Sequence, residues 1–258
     1  MTPGINNNKI AYVLHLADNA LIHGHRNSEW CGHGPVLEQD IAITNISLDL
    51  IGQARNFYQY AAQLFSAQGN NNATEDSLAY LRDAFDFKNC LLAELPKDDW
   101  ATTVLRQFLL STYQLLVYDK LKESNDEQIA AIAAKALKEV LYHVKWSSEW
   151  VIRLGDGTKE SNARINKAID DVWMYTGELF FPASYETAAA KEGYGADVTL
   201  LKEKWLNKVE AVFIEATLKI PANTFMQSGG KNGIHTEHLG FLLAEMQFLQ
   251  RAYPNAQW

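Results

Sequence analysis

The stretch KEVLYHVKW, residues 138–146, carries a glutamate and a histidine four residues apart, Glu139 and His143. On a helix that spacing puts both side chains on one face, as in metalloproteases that set two zinc-binding histidines this way. Carboxylate-bridged di-iron sites use another spacing, Glu-x-x-His. They need it twice, with a carboxylate from each of two further helices. The residue three before His143 is Val140, and no Glu-x-x-His occurs in the chain. A second donor segment, LDLIGQARN, offers Asp49 and, four residues on, Gln53, whose amide is a poor metal ligand. Glu139, His143 and Asp49 would be the ligands of a stand-alone metal-dependent oxidase. The ligand count favours packed polar residues instead.

Other segments carry weaker chemistry. In GGKNGIHTEHLG, His235, Glu237 and His238 resemble a ligand set without its remaining donors. The segment reads better as a glycine-rich turn entering a helix, with His235 or Thr236 near the cap and Glu237 at the positive helix end. Lys231 among its glycines suggests a phosphate contact, without the full pattern of a phosphate loop. EWCGHGP puts Cys31 and His33 in a tight turn, a nucleophile and a base whose spacing does not aim one at the other. DAFDFKNC, residues 83–90, mixes acids, aromatics, a lysine and an asparagine between helices and could receive a polar ligand. Trp146 and Trp150, four apart, read as core or interface.

The chain that must position these residues has 258 positions, is 47% hydrophobic and carries a formal net charge of -8. That composition supports a sizeable core and argues against a nucleic-acid partner. Two cysteines without a CxxC pair exclude a zinc ribbon or a disulfide framework and suit the cytoplasm. The first twenty residues lack the basic and apolar regions of a signal peptide. No apolar run approaches the roughly 18 residues of a membrane span.

Proline is scarce and the apolar residues recur with helical period. The pattern predicts helices over 8–26, 36–66, 75–84, 98–123, 126–154, 160–180, 197–219 and 235–252. Asp98 and Asp126 are the expected N-caps, Gly155 an expected C-cap, and Pro96 and Pro221 expected stops. Four long helices would build a bundle about 30 Å tall. The apolar face of 36–66, running through Val36, Leu37, Ile41, Leu48, Ile51, Ala54, Phe57, Tyr58 and Ala61, is wide for a surface helix and suggests burial against more than one neighbour. The expected fold is all-α, a single helical domain over 1–258.

Four stretches carry a family resemblance: EWCGHGPVLEQDIAITNISLDLIGQARNF at 29–57, AAKALKEVLYHVKWSSEWVIRLGDGT at 133–158, GGKNGIHTEHL at 229–239 and LAEMQFLQR at 243–251. The chain resembles the non-catalytic, structural (PaaC-type) subunits of ring 1,2-phenylacetyl-CoA epoxidases along nearly its whole length. The resemblance implies a ferritin-like helix bundle with additional C-terminal helices. It also implies pairing with a homologous di-iron catalytic subunit in a multicomponent oxygenase of aerobic phenylacetate breakdown. In that complex an NADPH-dependent reductase carries flavin and an iron–sulfur centre, and dioxygen epoxidises the ring of phenylacetyl-CoA.

Projected from the catalytic relatives, the di-iron ligand positions fall on Ala20, Leu50, Gln53, Ser111, Val140 and His143, of which only His143 keeps a ligand type. Glu139 is one residue off, about 100° around the helix axis. The implied chain holds no metal of its own. The resemblance further implies that Asp86, Phe87, Lys88 and Asn89 contact the CoA end of the substrate, with Lys88 meeting a phosphate and Asn89 offering amide donors. Left alone, the wide apolar helix face is expected to drive homodimers.

Overall fold

The computed structural model describes residues 7–222, 224–254 and 256. Long segments free of proline become helices there: α1 (Asn7–Ser28), α2 (Leu37–Ala67), α3 (Glu75–Tyr80), α4 (Leu91–Glu94), α5 (Trp100–Leu121) and α6 (Glu127–Gly155). They are followed by α7 (Lys159–Val172), α8 (Ser184–Glu192), α9 (Lys202–Glu215), α10 (Glu237–Met246) and α11 (Phe248–Ala252). No strand occurs among the described residues. α1, α2, α5 and α6 form the all-α, ferritin-like bundle, and the later helices are the C-terminal additions.

Tertiary hydrogen bonds give the directions. Asp49 meets His143 and Gln53 meets Glu139, so α2 and α6 run antiparallel. Asn27 meets Gln107 and Trp30 meets Thr103, so α1 and α5 do too. α6 buries Ile129, Ile132, Ala133, Ala136, Val140 and His143, a stripe of helical period that faces the bundle. α5 is buried almost all round, including Arg106, Gln107, Ser111 and Thr112, because other helices cover every side of it.

Several helix ends differ from expectation. The N-cap of α5 is Asp99, whose carboxylate accepts from the Thr102 amide at 2.9 Å. Asp98, at φ 47°, accepts from the Thr102 hydroxyl instead. Asp126 does cap α6, accepting from the Ile129 amide at 3.1 Å. The helix expected over 160–180 stops at Val172 and continues as 3-10 turns, Trp173–Tyr175 and Gly177–Phe180. The one expected over 235–252 breaks at Gln247, whose side chain binds the carbonyls of Ala79 and Arg82. The short helices α4 and α8 lie in segments whose sequence pattern does not predict them.

Gly155 is the last residue of α6 and not its C-cap, which is Asp156. Its lack of a side chain matters for packing: a Cβ there would stand 2.1 Å from the Ala216 carbonyl oxygen. We expect Gly155→Ala to push the end of α9 away from α6 and to cost about 1–3 kcal/mol, as overpacking does. Urea unfolding of the two proteins checks this; equal midpoints would refute it.

Candidate functional site

The six projected ligand positions are all buried. The side chains of Ala20, Leu50, Ser111, Val140 and His143 have no solvent exposure, and Gln53 has 2%. Three of the six are hydrocarbon. Gln53 donates to Glu139 Oε2 at 2.8 Å and accepts from the Tyr118 hydroxyl at 3.3 Å. Ser111 lies 3.4 Å from Ser147, which donates to the His143 carbonyl at 2.6 Å. His143 Nε2 bonds Asp49 Oδ2 at 3.0 Å. Asp49, Glu139 and His143 do not converge as three ligands, and no group of three or more His, Cys, Asp or Glu among the described residues could hold a metal ion. The donor set does not fit a di-iron centre: three positions offer no lone pair, and Gln53 is bonded elsewhere.

Polar residues that the sequence analysis passed over also face this interior. His23 is buried with neither ring nitrogen bonded to protein, and His143 Nδ1 is likewise unbonded. Burial, then the charges of Arg106 and His143, push the His23 pKa well below the ordinary value. Arg106 is fully buried; its Nη1 donates to the carbonyls of Leu95 and Pro96. Burial, then Arg26, push Arg106 down to about 10, so it stays charged at neutral pH. In the sequence His23 and Arg106 are one polar letter each, and only helix packing reveals that both are enclosed.

The loop at 86–89 is held from beneath by α1. Asp18, with no exposure, accepts from the Tyr58 hydroxyl at 2.5 Å, the Lys88 amide at 2.8 Å and the Arg82 guanidinium. His15 Nδ1 donates to the Lys88 carbonyl at 2.7 Å, and Asn19 accepts from the Cys90 amide at 2.9 Å. These contacts correct part of the expected substrate site. Phe87 is buried beneath the Arg82 guanidinium, 4.2 Å from the ring centre. The Asn89 amide, buried as well, already donates to Glu94 Oε2 at 2.8 Å. Asp86 is exposed and accepts from the Asp83 amide. Lys88 remains as the presented cation. It has no carboxylate partner among the described residues, and its ammonium stands 5.6 Å from the centre of the Tyr185 ring.

The C-terminal candidates are structural. Lys231, 2% exposed, donates to both oxygens of Glu186 at 3.1 Å and to the carbonyls of Leu179 and Phe181, so it is closed to a phosphate. Glu178 accepts from the amides of Leu91, Gly229 and Lys231. His235 binds Glu94 and the Phe87 carbonyl, and Thr236 donates to Glu94. Thr236 is the N-cap position of α10 but makes no side-chain cap bond. Glu237 is exposed, and the His238 carbonyl accepts from Arg26. The Cys31–His33 pairing does not form: His33 Nδ1 bonds the Cys31 carbonyl at 3.1 Å.

The expected wide face of α2 divides. Ala54, Phe57, Tyr58 and Ala61 are core, whereas Val36, Leu37, Ile41 and Leu48 stand exposed, Leu37 by 72%. On α6, Leu141 and Tyr142 are exposed beside the residue that Asp49 binds. Beneath the start of α2, Trp146 and Trp150 both donate to Gln39 Oε1, at 3.0 and 2.7 Å. Trp100 packs edge-on against Trp30, Trp146 and Trp150 with ring centres 5.0–5.9 Å away. This aromatic cluster anchors the first turn of α2 through Gln39.

Over residues 1–258 the chain matches the model of the family described as phenylacetic acid catabolic protein. It is 46% identical over 252 residues to one of the subunits of the 1,2-phenylacetyl-CoA epoxidase of Escherichia coli (strain K12), covering 98% of this chain and 100% of that relative.

His23 is neutral in the folded chain and takes up a proton on unfolding near the ordinary imidazole pKa of about 6.5. Its depressed folded pKa thus adds acid sensitivity: stability is kept above about 6.5 and lost below it, by up to about 1.4 kcal/mol per pH unit. We expect the stability of the wild type relative to His23→Leu to fall as pH goes from about 7.5 to about 5.5 in urea titrations. Parallel profiles would show that His23 does not titrate as described.

Proposed function

The chain belongs to the phenylacetic acid catabolic protein family, and we propose that it is the non-catalytic, structural subunit of an oxygenase that epoxidises the ring of phenylacetyl-CoA. Its role in this reading is to bind and support a homologous di-iron catalytic subunit. The single observation that carries it is the bundle interior, where Ala20, Leu50 and Val140, which the family resemblance projects onto carboxylate positions of di-iron relatives, are buried hydrocarbon. Iron belongs to the partner subunit, and flavin, iron–sulfur centre and NADPH to the reductase. The complex works in the cytoplasm, where the unpaired thiols of Cys31 and Cys90 stay reduced. No described helix is long and apolar enough to cross a membrane.

The partner surface in this reading is the stripe of Val36, Leu37, Ile41 and Leu48 with Leu141 and Tyr142. Contiguous exposed apolar side chains are what an obligate interface uses, and such interfaces bury more than about 2,000 Å². Without the partner, the same stripe makes homodimers. Co-expression with the di-iron subunit tests the reading: the two chains co-elute on size exclusion, and epoxidation with reductase present stops when this chain is omitted. A catalytic subunit that is soluble and fully active alone would overturn it. So would stoichiometric iron in this purified chain that disappears in His143→Ala.

Ile41→Asp and Leu48→Asp should each weaken that co-elution about ten- to hundred-fold by placing a charge in the apolar centre. Unchanged affinity would move the interface elsewhere on the chain. In this reading the CoA end of the substrate meets the half-buried Lys88, whose ammonium stands 5.6 Å from the centre of the Tyr185 ring. Lys88→Ala in the reconstituted complex should raise the KM for the thioester about ten-fold with kcat unchanged, the pattern of a lost binding contact. An unchanged KM would remove Lys88 from the substrate path.

A further inference from the structure

Glu94 is a carboxylate with no solvent exposure, and each of its oxygens is engaged. Oε1 accepts from the Thr236 amide at 2.6 Å and the Thr236 hydroxyl at 2.8 Å. Oε2 accepts from Asn89 at 2.8 Å and faces His235 Nδ1 at 2.7 Å. A buried carboxylate is costly unless donors or a cation compensate it, and the only ion-pair partner of Glu94 among the described residues is His235, whose side chain is 4% exposed. The second ring nitrogen, Nε2, faces the Phe87 carbonyl oxygen at 3.0 Å. Both nitrogens thus meet groups that can only accept. A neutral imidazole carries one N–H and satisfies one of them; an imidazolium satisfies both.

We propose that His235 is a positioning residue for the 86–89 loop: as an imidazolium it ties the Phe87 carbonyl to the buried Glu94, and so sets where the Lys88 ammonium stands. The role in substrate binding rests on the reading of Lys88 given above; the tie itself does not. Through it the C-terminal segment, joined to the core by Glu94 and Glu178, controls the loop next to it. Asp18 from α1 adds a favourable charge, and Arg82 answers Asp18. Arg26 stands behind Glu94, donating to its backbone carbonyl at 2.9 Å. Burial opposes the charge on His235, but the hydrogen bond and charge of Glu94, with the Phe87 carbonyl, outweigh it and raise the pKa. A raised histidine pKa stabilises fully below the unfolded value of about 6.5, and the stabilisation is lost as pH rises through the folded value.

The test begins with the intact free chain, labelled with nitrogen-15 in its seven histidines. One ring, identified by its disappearance in His235→Gln, should carry protons on both nitrogens at neutral pH and titrate above the ordinary range. Hydrogen exchange of the Lys88, Cys90 and Leu91 amides, corrected for intrinsic rate, should speed up as that ring loses its proton. His235→Gln, which cannot donate to both acceptors, should show about ten-fold less protection there, independent of pH, as expected for losing one charge-assisted hydrogen bond. In the reconstituted complex its KM for the thioester should rise with kcat kept. A singly protonated His235 at neutral pH, or loop protection that ignores both its titration and its replacement, overturns the proposal; the wild-type titration decides even if the variant folds poorly. If the loop loosens as described while Lys88→Ala leaves KM unchanged, the tie stands and the substrate reading falls.

Discussion

A carboxylate cut off from water must have its lone pairs met by protein donors, and four carboxylates among the described residues are in that position: Asp18, Glu94, Glu178 and Glu186. None stands at a projected metal position. Each holds irregular backbone against the bundle: Asp18 binds the Lys88 amide, Glu94 joins Asn89 to Thr236, Glu178 bonds Leu91, Gly229 and Lys231, and Glu186 meets Lys231. Three of them have a cation from the loops being held, Arg82 for Asp18, His235 for Glu94 and Lys231 for Glu186, while Glu178 is met by backbone amides. Losing one partner of such a pair would leave a charge buried, at a cost of about 3–5 kcal/mol. The loops are therefore as firmly defined as the helices they join.

The metal-type interior follows the opposite logic. Hydrocarbon at positions 20, 50 and 140 removes the repulsion and desolvation that carboxylates would bring without a metal. The polar groups left there are paired locally: Gln53 with Glu139 and Tyr118, Ser147 with the His143 carbonyl, and His143 with Asp49 at the rim. His23 is neutral because nothing nearby rewards its charge. Stability here comes from close packing of four helices, and it leaves their outer surfaces free to be used.

Part of that outer surface is anchored from beneath. Leu37 and Ile41 project from the first turns of α2, whose Gln39 is bonded by two tryptophans of α6. Ordering costs are lower when a binding surface is already fixed. The loop bearing Lys88 is likewise preorganised, through Asp18, His15 and Glu94, before any anion arrives.

The helical bundle was legible in the sequence because apolar period and scarce proline report burial along a helix directly. Asp126 as a cap and the width of the α2 face were legible for the same local reason, whereas the loss of five of six ligand types is what the family resemblance implies. Which half of that face is covered was not, since Ala54 and Leu48 are equally apolar letters on one helix. Nor were the roles of residues whose partners lie far along the chain. Lys231 reads as a phosphate contact until Glu186, 45 positions away, closes on it. His235 reads as a cap or a ligand until Glu94, 141 positions away, and Phe87 meet its two nitrogens. Local pattern determines where helices form; what a buried polar group does depends on which distant donors and acceptors the fold brings within about 3 Å of it.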